Sequence, residues 1–191
     1  LAGERVAGTV GFALPAQEFR IADADGKPVQ TGEIGTIEVR GPNVFQGYWQ
    51  MPDKTAEEIR DDGFFITGDL GTVDEDGRLS IVGRAKDLVI SGGYNVYPKE
   101  VEGMIDKIPG VSESAVIGVP HADFGEAVVA VIVPSTEPID LDTLQVHLAE
   151  HLARFKQPKM VINVEALPRN TMGKVQKNIL REQYAGVLSQ G

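Results

Sequence analysis

The chain has 191 residues, 42% hydrophobic and 24% charged, enough for one good-sized domain or a small domain plus part of another. Its 28 Asp and Glu outweigh 18 Lys and Arg, and the resulting formal charge of −10 argues against nucleic-acid binding, because such a surface repels phosphate backbones. The absence of cysteine excludes disulfides, zinc–thiolate centres and cysteine nucleophiles, and no run approaches the ~18 apolar residues that span a bilayer. Leu1 stands where a methionine would start, no secretory leader is visible, and residues 1–8 read as neither helix nor strand. The expectation is a segment of a longer, cytoplasmic protein with no membrane association.

Residues 1 to about 85 read as short strands and turns. Gly32 to Arg40 alternates apolar and polar positions and stops at Gly41-Pro42, as a strand does. Asp23-Ala24-Asp25-Gly26 and Asp74-Glu75-Asp76-Gly77 lie between alternating runs. They lack the further ligand positions of a calcium loop, so they predict turns between strands. Beyond Asp87 strands and helices alternate. Pro98 followed by Glu100 and Glu102 predicts a helix start, and Ser114–Val119 and Ala127–Val133 predict paired β-branched strands. Asp140–Phe155 predicts one amphipathic helix with Leu141, Leu144, Leu148, Leu152 and Phe155 on a face. A short strand over Met160–Val164 and a closing helix over Asn178–Leu188 complete the reading. The expected fold class is α+β: a β-rich piece, residues 1–86, followed by a compact domain of mixed sheet and helices, residues 87–191.

Several local patterns invite chemistry and are weak singly. His147-Leu148-Ala149-Glu150-His151 matches a zinc-protease helix signature, but its histidines flank the apolar stripe and no third ligand is in sight, so no metal site is expected. Pro168-Arg169-Asn170-Thr171-Met172-Gly173-Lys174 is not a phosphate loop, since Pro168 and Val175 stand where Gly and Ser or Thr are needed. It reads as a flexible, turn-rich loop, and Lys174 taken alone is a solvated surface lysine. Thr67-Gly68-Asp69 puts a carboxylate at a strand end, where it can accept two hydrogen bonds from vicinal sugar hydroxyls. Gly83-Arg84-Ala85-Lys86-Asp87 is a charged connector, and Ser91-Gly92-Gly93-Tyr94 on its own is a hairpin.

Order and spacing together say more. Gly-Glu-Ile-Gly-x-Ile-x-Val-x-Gly from Gly32 is followed by Phe-x-Thr-Gly-Asp-Leu from Phe65. Gly83-Arg84-x-Lys86-Asp87 then leads to Gly92-Gly93-Tyr94-Asn95-Val96-Tyr97-Pro98-x-Glu100-Val101-Glu102, and Pro168-Arg169-Asn170-Thr171-x-Gly173-Lys174-Val175 closes the ladder. The series, from about Gly8 to Leu188, resembles the adenylate-forming superfamily of acyl-CoA synthetases, amino-acid adenylation domains and luciferases. Tyr94–Glu102 and Gly173–Lys177 resemble the same stretches of malonyl- and methylmalonyl-CoA synthetases.

The resemblance implies a function. A carboxylate attacks the α-phosphate of Mg-ATP, pyrophosphate leaves, and coenzyme A then displaces AMP to form a thioester. Lys174 would bridge the two anions of the first step, a role electrostatics requires of some cation. Asp69 would bind the ribose hydroxyls, with Arg84 reinforcing the contact. Asp87 would be the hinge of a carboxy-terminal lid, and its rotation would withdraw Lys174 and bring Gly92 and Gly93 against the pantetheine path. The family's phosphate loop and its magnesium-binding glutamate have no counterpart here and would precede Leu1. The chain is therefore expected to lack activity alone. Lysine acetyltransferases would be partners acting on Lys174. The alternatives are another acyl-CoA synthetase, a carrier-loading adenylation domain or, from a different class, a non-catalytic binding or regulatory module.

Overall fold

The computed structural model describes residues 5–188, so part of the stretch 1–8 lies outside the described residues. The chain divides into two compact units, Leu1–Lys86 and Asp87–Gly191.

The first unit is an antiparallel sheet in chain order: β1 (Glu18–Ala22), β2 (Gly35–Arg40), β3 (Phe65–Val73) and β4 (Leu79–Arg84), with helix α1 (Pro52–Glu58) between β2 and β3. Strand β2 begins three residues later than its alternation predicts. Gly32 has φ +86° and Glu33 N–H donates to Gln30 O, so a turn occupies the start of that run. Both Asp-Gly segments are turns: Asp74–Gly77 joins β3 to β4, and Asp23 Oδ1 accepts from the N–H groups of Asp25 and Lys27 at 2.9 Å. The core is a small cluster of Ile21, Ile37 and Leu79 with Phe19, Val29, Val39 and Val73 around it. On the opposite face of β2 lies a fully buried carboxylate, Glu38, held by Arg20 at 2.8 Å and Arg60 at 2.6 Å. A charge can occupy such a position only because both of its oxygens are paired.

The second unit is built on two long strands, β7 (Val111–His121) and β8 (Gly125–Pro134), paired antiparallel over their length. The other edge of β8 takes β5 (Val89–Ser91) near Gly125 and then β9 (Met160–Asn163) in parallel, while β6 (Tyr94–Val96) pairs β5. The β-branched runs are continuous because both faces of the sheet are covered. Val116, Val128, Ala130 and Ile132 point to one face, against Val101 and Ile105 of α2 (Pro98–Ile105) and Leu144 and Leu148 of α3 (Leu141–Ala149). Ala115, Ile117, Val119, Val129 and Val131 point to the other, against Leu167 and Leu180, the latter from α4 (Lys177–Tyr184). The result is an α+β domain on a mixed sheet.

Two helix boundaries differ from expectation. The helix predicted over 140–155 ends at Ala149, and a separate 3₁₀ turn covers Arg154–Lys156. Ala153, with ψ 146°, is not helical, and Gln157 is extended, as suits the residue before Pro158. The apolar period outlasts the helix because Leu152 and Phe155 still reach the same core. The closing helix stops at Tyr184 rather than Leu188, although Val187 and Leu188 still pack on the second face.

Candidate functional site

Asp69 and Arg84 are directly opposite each other on β3 and β4, and Arg84 Nε meets Asp69 Oδ1 at 2.7 Å. Gly68, with φ +74°, and a bulge after Leu70 shape the strand locally. Asp69 N–H donates to Thr67 Oγ1 at 3.1 Å, and that hydroxyl donates to Ile37 O at 2.8 Å. Thr67 thus anchors the backbone that carries the carboxylate. Asp69 remains 26% exposed, and Arg84 occupies one of its oxygens, leaving the other available to accept from a ligand hydroxyl.

Asp87 opens the second unit at the end of a 3₁₀ turn, Ala85–Asp87. Its carboxylate accepts from Arg181 of α4 at 3.0 Å. One turn earlier on α4, Lys177 pairs with Glu102 at 2.5 Å, and Glu102 also accepts from Val116 N–H at 2.8 Å inside the domain.

Gly92 and Gly93 are the two turn residues between β5 and β6, with φ of +58° and +82°. The hairpin read from the sequence is present as a two-residue turn, in which both positions demand the left-handed region. A side chain at Gly93 meets nothing within 4 Å in this unit, so conformation alone is what the fold asks of that glycine. Gly92 N–H donates to Phe124 O at 2.9 Å, tying the turn to the start of β8.

An open groove of about 560 Å³ runs beside this turn, lined by Ser91, Gly92, Tyr94, Phe124, Arg154, Phe155 and Lys159. Tyr94 and Phe155 stack with ring centroids 4.6 Å apart, and Lys159 lies 5.4 Å from the Phe124 ring. Lys156, between the two groove cations in sequence, is spent on Glu100 at 2.6 Å. Arg154 and Lys159 form no ion pair among the described residues. Flat apolar walls with two free cations can hold an aromatic ring bearing phosphates. The sequence reading missed Tyr94, Phe124, Arg154, Phe155 and Lys159. The signal that was available is the cluster Arg154-Phe155-Lys156-Gln157-Pro158-Lys159, whose cations flank an aromatic.

Lys174 is exposed at the tip of a hairpin closed by the Arg169–Val175 bridge. The loop expected to be flexible is instead hydrogen-bonded across its whole length: Gln176 N–H donates to Pro168 O at 2.8 Å and Asn170 N–H to Lys174 O at 2.9 Å. His147 and His151 are exposed on or just beyond α3, and His147 Nδ1 lies 2.9 Å from Thr143 O of its own helix. No group of three or more metal-ligating side chains occurs among the described residues. The expected site residues thus form one contacting pair, Asp69 and Arg84, in the first unit. In the second unit they occupy three places: the Asp87 pair, the Gly92–Gly93 turn and the Lys174 hairpin.

Comparison with known proteins places the chain in a family. The profile of the family described as AMP-binding enzyme matches residues 2–49, and that of the AMP-binding enzyme C-terminal domain matches residues 100–174. The long-chain-fatty-acid–CoA ligase of Yersinia pestis is 41% identical over 180 residues, 94% of this chain and 32% of that protein. Feruloyl-CoA synthase of an Amycolatopsis species is 45% identical over 178 residues, 93% of this chain and 36% of that protein. ATP-bound MatB from Rhodopseudomonas palustris is 59% identical, with a TM-score of 0.92 over 98% of this chain and 38% of that one. The chain spans about a third of the length of the curated relatives it matches. Matched in both units, in sequence and in fold, it belongs to the adenylate-forming AMP-binding enzyme superfamily, of which it is a carboxy-terminal portion.

Proposed function

We propose that the chain is the carboxy-terminal part of an ATP-dependent acid–CoA ligase whose acid is malonate or methylmalonate. The observation that carries the reading is the groove beside Gly92. Its stacked Tyr94 and Phe155, with Arg154 and Lys159 free of carboxylates, suit the adenine and phosphates of coenzyme A. A groove for that nucleotide next to the Gly92–Gly93 turn supports a second half-reaction on a thiol, beyond adenylation alone. The choice of acid rests on the resemblance of Tyr94–Glu102 and Gly173–Lys177 to malonyl-CoA synthetases. It is supported by identity to MatB, 59%, above that to the long-chain and feruloyl enzymes, 41% and 45%.

In the first half-reaction a carboxylate oxygen attacks the α-phosphorus of ATP and pyrophosphate departs. Lys174, an exposed ammonium without a carboxylate partner among the described residues, bridges the two anions and offsets charge as it shifts. Asp69, held by Arg84, accepts from the ribose hydroxyls and moves no proton. In the second, the CoA sulfur attacks the acyl carbonyl and AMP departs. We assign the hinge to Asp87 and the thiol approach to the Gly92–Gly93 turn. Magnesium would supply charge neutralisation on the phosphates. Among the described residues the Asp and Glu side chains form no cage for it, and we assign its ligands to the rest of the polypeptide.

The test joins this chain to an amino-terminal adenylation part in one polypeptide and follows both half-reactions. Malonate-dependent ATP–pyrophosphate exchange should appear and should vanish in Lys174→Ala, while thioester formation from supplied malonyl-adenylate persists. Equal loss of both half-reactions in Lys174→Ala would contradict the assigned role.

A further inference from the structure

We propose that Asn170 and Arg169 are positioning residues that hold Lys174 in a preformed geometry for the adenylation step. The inference rests on the role assigned to Lys174 above.

The Asn170 side chain sits inside the hairpin tip. Its Oδ1 accepts from Met172 N–H at 3.0 Å and from Lys174 N–H at 2.9 Å, so one amide oxygen fixes the backbone of the lysine itself. The backbone N–H of Asn170 donates to Lys174 O at 2.9 Å, and its backbone carbonyl accepts from Gly173 N–H at 2.9 Å. Gly173 has φ +78°, the left-handed residue that this tight turn needs. Arg169 then attaches the tip to the sheet. Its Nη1 donates to Gly173 O at 2.6 Å, and its Nη2 pairs with Glu113, a residue of β7 opposite Val133.

Both peptide groups flanking the Cα of Lys174 are thereby bonded, and the loop is referenced to the most buried strand pair of the domain. Only the side-chain torsions of the lysine stay free. A mobile loop would have to be ordered in every turnover, and that entropy would add to the barrier; here most of it is lost on folding instead. Neither Asn170 nor Arg169 is buried, so the network contributes little to global stability and its effect falls on geometry.

The experiment compares Asn170→Leu, Asn170→Asp and Arg169→Met with Lys174→Ala in the joined, full-length polypeptide. Melting temperature and the two half-reactions are followed separately. Asn170→Leu removes the acceptor; a misplacement of about 1 Å costs on the order of a hundredfold, so adenylation should fall roughly 10- to 100-fold. Thioester formation from supplied acyl-adenylate should stay within about twofold, since it does not use Lys174. Asn170→Asp keeps an acceptor at the same position and should recover most of the adenylation rate. Arg169→Met should show the same split as Asn170→Leu. Adenylation unchanged in both Asn170→Leu and Arg169→Met, with Lys174→Ala inactive, overturns the inference and leaves the function standing. Equal loss of the two half-reactions in Asn170→Leu, or no recovery in Asn170→Asp, overturns it as well, because the role would then be structural. Adenylation retained in Lys174→Ala removes the reading on which the inference stands.

Discussion

Arg181 Nη1 donates to Asp87 Oδ1 at 3.0 Å, joining residues 94 positions apart and tying the first residue of the second unit to its last helix. The Asp87 side chain therefore belongs to the carboxy-terminal unit. Rotation at the hinge proposed at Asp87 would be absorbed by the backbone of the 3₁₀ turn Ala85–Asp87 that it ends. Asp87→Pro fixes φ near −65° and deletes the carboxylate, so it should block thioester formation while sparing ATP–pyrophosphate exchange. Asp87→Asn keeps an acceptor for Arg181 and should lose far less. If exchange falls in Asp87→Pro as steeply as ligation, Asp87 is not a hinge.

At the Gly92–Gly93 turn, two effects must be separated. Gly93→Asn is tolerated in the left-handed region, whereas Gly93→Leu is strained there as well as bulky. Both should retain exchange, and ligation should be lost in Gly93→Leu in proportion to the volume added to the thiol path. Ligation lost equally in Gly93→Asn and Gly93→Leu would point to the polar contacts of the turn rather than to steric access.

Lys174 is exposed on an ordered hairpin, so a modifying enzyme can reach its ammonium without unfolding the domain. Acetylation removes the charge and should reproduce Lys174→Ala: adenylation lost, thioester formation from supplied adenylate retained. The measurement is the exchange rate of stoichiometrically acetylated protein. A normal rate would show that the charge is not what the step needs.

Asp140 caps helix α3: its Oδ1 accepts from Thr143 N–H at 2.7 Å, and that bond holds the carboxyl below its ordinary pKa. A depressed value in the folded state means that the contribution to stability is complete above the ordinary carboxylate range. It is lost as pH falls through the lowered folded value. Asp140→Asn keeps an acceptor but does not titrate, so the acid limb of thermal stability should flatten relative to the parent. Superimposable acid limbs would show that the cap does not contribute through its charge.

The two units differ in the core they own. Residues 87–191 bury both faces of a sheet, with Ile105, Ile117, Ile132, Leu144 and Leu180 below 2% exposure, and should fold cooperatively when expressed alone. Residues 1–86 bury a cluster of three residues and leave Trp49 at 86% and Phe12 at 58% exposure. This unit alone should give a broad thermal transition and bind hydrophobic dyes. A sharp, reversible transition from residues 1–86 would disprove that contrast. The 191 residues alone, whose sequence holds no Ser/Thr/Gly-rich phosphate loop, should show no exchange with any carboxylic acid.

Much of this molecule is local and therefore readable from sequence. Continuous β-branched runs located β7 and β8, Pro98 marked the start of α2, and the Asp-Gly pairs marked turns, because each depends on backbone preferences within a few residues. The motif ladder named the family for a similar reason: residue order survives without coordinates. Helix α3 was overextended because Leu152 and Phe155 keep the helical period while reaching the core from a turn, and only packing distinguishes the two. The Arg181–Asp87 pair, the buried Glu38 between Arg20 and Arg60, and the groove that gathers Tyr94, Phe124 and Lys159 were invisible in the sequence. Each joins residues far apart in the chain, and a pairing of that kind exists only once strands and helices have packed. The order of the Lys174 loop was hidden in another way. Asparagine and arginine are ordinary loop residues, and only the folded hairpin turns one of them inward and the other onto β7.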